Sequence, residues 1–280
     1  MDESIKLRRE RRLDRMDIIH LLMEAQKGRL NYDDQSDNID SGFSAIDESD
    51  IIKKWKKKID IKDDDIMGVG LGFFLAGYDT ASNVMSYIAY ELAANPDVQE
   101  KLFREVSSAS REGDGKITYE TLLGMKYLDM VVSETLRKWP PGYHMDRECR
   151  IPFTIEPERE HEKPLHIEKG TQCLITVLGI HRDPQYYPNP EKFDPERFNN
   201  ENKRNIKPYT YMPFSVGPRS CMGTRFALLE MKLVIAEIIR AFEIVISDKM
   251  QFPLNIKKVG FSHYPAGGMW LCLKPREVAA

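Results

Sequence analysis

Pro213-Phe214-Ser215-Val216-Gly217-Pro218-Arg219-Ser220-Cys221-Met222-Gly223 sets a cysteine between a tight Gly/Pro-rich loop and the start of an apolar helix. A helix N-terminus offers unpaired N–H groups and the positive end of the helix dipole. Arg219 adds positive charge two residues from Cys221. Both favour the thiolate, the form that ligates a metal. With no histidine close by in the stretch, Cys221 points to a single axial ligand of the haem-thiolate kind. The competing reading is a buried free cysteine, a common core residue.

Downstream of the loop, Gly223 to Phe242 reads as a long helix. On a wheel of 100° per residue, Arg225, Glu230, Lys232, Glu237 and Arg240 share one sector, and Leu228, Met231, Val234, Ile235, Ile238 and Ile239 fill the rest. Such a helix is mostly buried. Upstream, residues 183–213 carry six prolines. That density predicts a long irregular coil, which in a compact domain is usually functional. Short β-like runs are expected at 153–155, 172–177, 243–246 and 270–273.

Further back, Asp63-Asp64-Asp65 supplies capping oxygens and negative charge for a helix start, and no proline follows until Pro96. The helix predicted there runs some 30 residues, about 45 Å. Its glycines at 68, 70, 72 and 77 each cost about 1 kcal/mol relative to alanine, so a close approach is expected along it. Gly68-Val69-Gly70-Leu71-Gly72 lacks the third spaced glycine of a dinucleotide fingerprint and does not follow a strand. Further helices are expected over 97–110, around 119–123, and over 127–138, the last stopped by Pro140-Pro141. Residues 1–30 read as a helix, periodic over 5–29, and 31–62 as a charged linker. The lysine run at 53–58 either touches an anionic surface or is simply solvated.

Phe214, Gly217, Arg219, Cys221 and Gly223 fill every fixed position of F-x-x-G-x-R-x-C-x-G, and on this motif the chain resembles the cytochrome P450 family. Three more segments match in order. Ala76-Gly77-Tyr78-Asp79-Thr80 resembles the oxygen-activating segment of the central helix, Glu134-Thr135-Leu136-Arg137 the E-x-x-R motif, and Pro195-Glu196-Arg197-Phe198 the P-E-R-F motif. The style is closest to insect microsomal members that oxidise foreign compounds and lipids.

The resemblance implies a mainly α fold with small β-sheets, in which a long central helix and a cysteine loop flank a haem. It implies that residues 1–280 form one incomplete domain, the C-terminal part of a longer family fold. Cys221 would ligate iron, with Phe214, Gly217, Arg219 and Gly223 around it and Arg147 at a haem propionate. Thr80 would donate a hydrogen bond at the oxygen-activating centre, and Asp79 would feed the protons that cleave the O–O bond. Glu134, Arg137 and Arg197 would form a charge cluster that fixes the coil presenting Cys221. Gly77 would allow a kink over the haem. His181, in His181-Arg182-Asp183-Pro184, would be a structural turn residue rather than a ligand, and Cys149, Cys173 and Cys272 structural. The function so implied is a monooxygenase that inserts one atom of O₂ into an apolar xenobiotic or lipid. Its electrons would come from NADPH through a reductase, on the cytoplasmic face of the endoplasmic reticulum where relatives are anchored. Lys203, Arg204, Lys207, Arg225 and Lys232 could dock an acidic electron donor, or be merely solvated. The alternative is a truncated, non-catalytic chain that retains no haem.

The bulk properties fit these expectations and exclude others. The 280 residues carry 41 Lys+Arg against 44 Asp+Glu, a net charge of −3, which excludes a globally basic nucleic-acid binder. Four cysteines are too few for a disulfide scaffold, and none forms C-x-x-C, so a clustered zinc site is disfavoured. No secretory signal opens the chain. The longest apolar stretch, 66–77, is too short to cross a bilayer, which takes about 20 residues.

Overall fold

A computed structural model describes residues 2–11, 15, 17–27, 60–259 and 262–276. The fold is mainly helical with small sheets, as expected. Its axis is α3 (Asp63–Ala94), an unbroken helix of 32 residues. The three aspartates sit in its first turn, and Asp65 accepts the backbone N–H of Lys62 at 2.9 Å. Pro96, which cannot continue a helix hydrogen-bond ladder, occupies the first turn of α4 (Pro96–Glu112). Then come α5 (Tyr119–Gly124), α6 (Lys126–Lys138), β1 (Met145–Glu148), β2 (Phe153–Ile155), β3 (Leu165–Ile167), β4 (Gln172–Ile175) and α7 (Val177–His181). A coil broken by short 3₁₀ turns leads to α8 (Thr224–Ala241), followed by β5 (Phe242–Ile246), β6 (Ile256–Val259), β7 (Ser262–Pro265) and β8 (Leu271–Pro275). The strands form four antiparallel pairs: β1–β4, β2–β3, β5–β8 and β6–β7.

The main core lies where α3, α4, α6 and α8 meet. Val84, Ile88 and Leu92 of α3 pack with Leu102 and Val106 of α4, Leu128, Val131 and Leu136 of α6, and Leu228, Ile235 and Ile239 of α8. The spacing by three and four gives each helix one apolar stripe. Polar contacts fix how the helices meet. Gln99 donates to the carbonyls of Leu92 and Ile244 and accepts the Ile244 N–H, joining α4 to α3 and β5. Glu105 accepts the N–H groups of Tyr127 and Leu128, an anion at the N-terminus of α6. A small separate cluster of Met145, Val177 and Met212 joins β1 and α7 to the segment just before the cysteine loop.

Three expectations are corrected. The helix expected over 1–30 is two helices, α1 (Asp2–Arg11) and α2 (Ile18–Gln26). Asp17 accounts for the second start: it caps α2 by accepting the His20 N–H, and Arg8 grips its carboxylate at 2.6 and 2.7 Å. That guanidinium pulls the Asp17 carboxyl down to about 2. At 68, 72 and 77 of α3 no described protein atom lies within 4 Å of an added Cβ. Nor does Gly77 interrupt the helix. On α8, Lys232 is buried and pairs with Asp129 of α6 at 2.7 Å, while Phe226, Leu233 and Val234 are exposed. The expected linker lies outside the described residues apart from 60–62.

Candidate haem-thiolate site

The cysteine loop is held by its own backbone. The Cys221 N–H donates to the Phe214 carbonyl at 2.9 Å, and Ser220 N–H to Gly217 O at 2.9 Å, so the strand of loop between them is pinched into a turn. Gly217 sits at φ +78°, a conformation that L side chains rarely adopt. Phe214 anchors the loop by packing into the main core. Thr224 Oγ1 donates to the Cys221 carbonyl at 2.9 Å and ties the loop to the first turn of α8. With these bonds in place the Cys221 side chain is exposed. Arg219 is exposed as well.

Ser215 is a second special position of the loop. It lies at φ +62°, a left-handed backbone that costs a non-glycine residue about 1–2 kcal/mol. Its hydroxyl accepts from Arg147 Nη2 at 2.9 Å and lies 3.4 Å from Met145 Sδ. Arg147 also donates to the carbonyls of Val216 (3.1 Å) and Asp146 (2.7 Å). β1 thus grips the loop through Arg147, a contact visible only when the two segments are brought together.

Behind the loop lies a buried ionic cluster. Glu134 and Arg137, both fully buried, form a fork–fork pair at 2.6 and 2.9 Å. Arg137 further donates to the carbonyls of His181 and Pro190, each at 2.8 Å. The Asp194 N–H donates to Glu134, and Arg197 stands 3.4 Å from the same carboxylate while donating to Asn189 O. Burial pushes the Glu134 carboxyl above the usual glutamate range, and the Arg137 guanidinium opposes that rise. The three motif residues therefore meet, and together they bind the coil at 181, 189, 190 and 194.

His181 completes the cluster, with both ring nitrogens occupied inside the protein. Nε2 accepts the Met212 N–H at 2.8 Å, so Nδ1 carries the proton and donates to the Arg137 carbonyl at 3.1 Å. Burial drives its pKa down to about 3. The histidine links α6 directly to the residue that precedes Pro213 and the cysteine loop.

The second group of expected residues lies on α3 in the open. Thr80 is exposed and its Oγ1 donates to the Ala76 carbonyl at 2.6 Å. Asp79 is exposed and accepts from Tyr264 Oη at 2.6 Å. On a 100° wheel Thr80 shares a face with Val69, Phe73 and Gly77. Leu71, Phe74, Leu75 and Tyr78 form a second apolar stripe, exposed by 52, 63, 57 and 69%. Phe74 and Tyr78 stack at 6.1 Å. Apolar stripes of this length normally face a core or a ligand.

These features define a single soft sulfur donor on a rigid loop, carried by the same helical core as a helix with exposed apolar stripes. Haem fits that donor set: Cys221 would supply the one thiolate it takes from a protein, and the apolar stripes would supply surface to bury it. The cytochrome P450 family model matches residues 4–272 of the chain. The chain is 42% identical over 273 residues to cytochrome P450 9e2 of Blattella germanica, covering 98% of this chain and 48% of the relative. It is 38% identical over 276 residues to the probable cytochrome P450 9f2 of Drosophila melanogaster, covering 98% and 49%. It is 39% identical over 217 residues to cytochrome P450 3A29 of Sus scrofa, covering 78% and 41%. The chain belongs to the cytochrome P450 family. It spans about half the length of the curated relatives it matches most strongly.

Proposed function

We propose that this chain is the haem-binding, oxygen-activating part of a cytochrome P450 monooxygenase acting on apolar small molecules such as xenobiotics or lipids. The observation that carries the reading is the exposed Cys221 side chain on a loop fixed from the core, from α8 and from β1. Haem, when bound, supplies a redox-active iron that activates O₂ and transfers one of its atoms.

Every other task falls to residues of the chain. Cys221 would hold the group through its thiolate, a strong electron donor to a bound iron. Phe214 and Gly217 hold the loop in the shape that presents the sulfur, and Gly223 adds no side chain beside it. Arg219 and Arg147 offer guanidinium groups to the haem propionates. The Glu134–Arg137–Arg197 cluster fixes the coil behind the loop. Asp79 passes protons inward from solvent, and Thr80 delivers them after its hydroxyl turns from the Ala76 carbonyl. The apolar stripes of α3 exclude water and receive the substrate. Lys203, Arg204, Lys207 and Arg225 face an acidic electron donor, a reductase drawing on NADPH; Lys232, buried against Asp129, takes no part. The location that goes with this reading is the cytoplasmic face of the endoplasmic reticulum. No helix among the described residues is long and apolar enough to cross a membrane.

Optical titration of the purified 280-residue chain with haemin tests the proposal. One haem per chain is expected, together with reductase-dependent oxidation of an apolar substrate. Thr80→Ala should keep the haem and divert electrons from product to hydrogen peroxide. No haem uptake by the chain would overturn the proposal in favour of a non-catalytic polypeptide.

A further inference from the structure

Asp79 does not stand alone on α3. Tyr264, on β7, donates its hydroxyl proton to Asp79 Oδ1 at 2.6 Å across 185 positions of sequence. A donor–acceptor distance this short is typical of O–H donation to an ionised carboxylate. The backbone makes the contact more than incidental. β7 pairs only with β6 among the described strands, with Tyr264 opposite Lys257, and the strand also packs against α3. The segment leading into it touches α3 at a second point, where Phe252 packs on Tyr90 at 6.3 Å between ring centroids. Tyr90 lies eleven residues beyond Asp79, three helical turns plus about 20°, hence on the same face of α3. Phe252 and Tyr264 thus meet one stripe of the helix at two points, three turns apart.

We infer that Tyr264 is a positioning residue for Asp79: its hydroxyl holds the carboxylate in one orientation beside Thr80. This rests on the proposed proton-delivery role of Asp79 and Thr80. An exposed aspartate on a helix otherwise samples several rotamers. A fixed donor selects one.

A double-mutant cycle on the 280-residue chain without added haem tests the contact, using Tyr264→Phe, which removes only the hydroxyl, and Asp79→Ala. The unfolding constant should rise roughly threefold to tenfold for Tyr264→Phe when Asp79 is present and stay unchanged when residue 79 is alanine. An equal effect in both backgrounds, or none in either, would overturn the inference whether or not the chain takes up haem. In the haem-loaded chain, Tyr264→Phe should lower the product-to-peroxide ratio severalfold without reducing haem uptake, and add nothing to Asp79→Ala. A severalfold loss that persists in the Asp79→Ala background would show that Tyr264 acts elsewhere. Failure of the chain to bind haem would remove the proposed function while the cycle still decides the contact.

Discussion

Around Glu134 most polar groups of the site are answered inside the protein, Arg197 Nε being an exception, whereas around Thr80 they face outward. Arg137 satisfies one carboxylate and two carbonyls, and His181 has a partner at each ring nitrogen. Asp79 and Thr80 sit on an exposed face with apolar neighbours, and Asp79 accepts a long-range hydrogen bond from Tyr264. The first region is a scaffold whose cost of burial is met by its own bonds, so its residues matter chiefly to folding. The second has little packing to lose, so its residues matter chiefly to what binds there. Stability and function should therefore separate cleanly between the two regions.

The largest effect on stability is expected from Arg137→Ala. It strands a buried carboxylate and two carbonyls, and should cost about 3–5 kcal/mol in urea unfolding. Arg137→Lys should recover only part of that, because an ammonium cannot form the fork to Glu134. A loss under about 1 kcal/mol for Arg137→Ala would break the contrast between the regions.

Acid comes next. His181 stays neutral in the folded chain to about pH 3, whereas the unfolded chain takes up a proton near pH 6.5. Stability should therefore fall as pH drops below about 6.5, by about 1.4 kcal/mol per unit, and level off near the folded pKa. Between pH 6.5 and 4.5 this lies above the window in which Asp17 and Asp63, held to about 2 by Arg8 and Arg9, lose their contribution. An unfolding midpoint that ignores pH over that interval would remove His181 from the scaffold.

Gly217→Ala should cost about 1–2 kcal/mol through its positive φ alone, since the added methyl meets nothing. At the small end, Thr80→Ala and Phe74→Ser on the open face should each change stability by under about 0.5 kcal/mol. A larger loss there would mean that the face is more tightly packed than its exposure indicates.

The sequence carries this contrast unevenly. The cysteine loop is legible because its special needs, a positive-φ glycine and a core phenylalanine, sit within eleven consecutive residues. Glu134 and Arg137 are legible because three positions on a helix share a face. What escapes is long-range. His181 meets Arg137 and Met212 across 44 and 31 positions, and Tyr264 meets Asp79 across 185. Periodicity reads such residues one element at a time and cannot pair them. Lys232 misleads for the same reason: on the wheel of α8 it belongs with the solvent-facing charges, yet Asp129 of α6 holds it inside. Ser215 illustrates a backbone conformation that residue type conceals, with Arg147 supplying the compensating bond. The break at Asp17 was readable in principle, as a capping residue followed by an apolar run, but the helical period continues across it.

The most direct test of the central claim is the reduced carbon monoxide difference spectrum of the haem-loaded chain beside that of Cys221→Ala. Because Cys221 is exposed, the substitution should leave the unfolding midpoint of the haem-free chain unchanged. The parent chain should show the Soret band of thiolate-ligated ferrous–CO haem, and the variant should lack it. A thiolate-type band that survives in Cys221→Ala would contradict the assignment of the ligand and, with it, the site described around this loop.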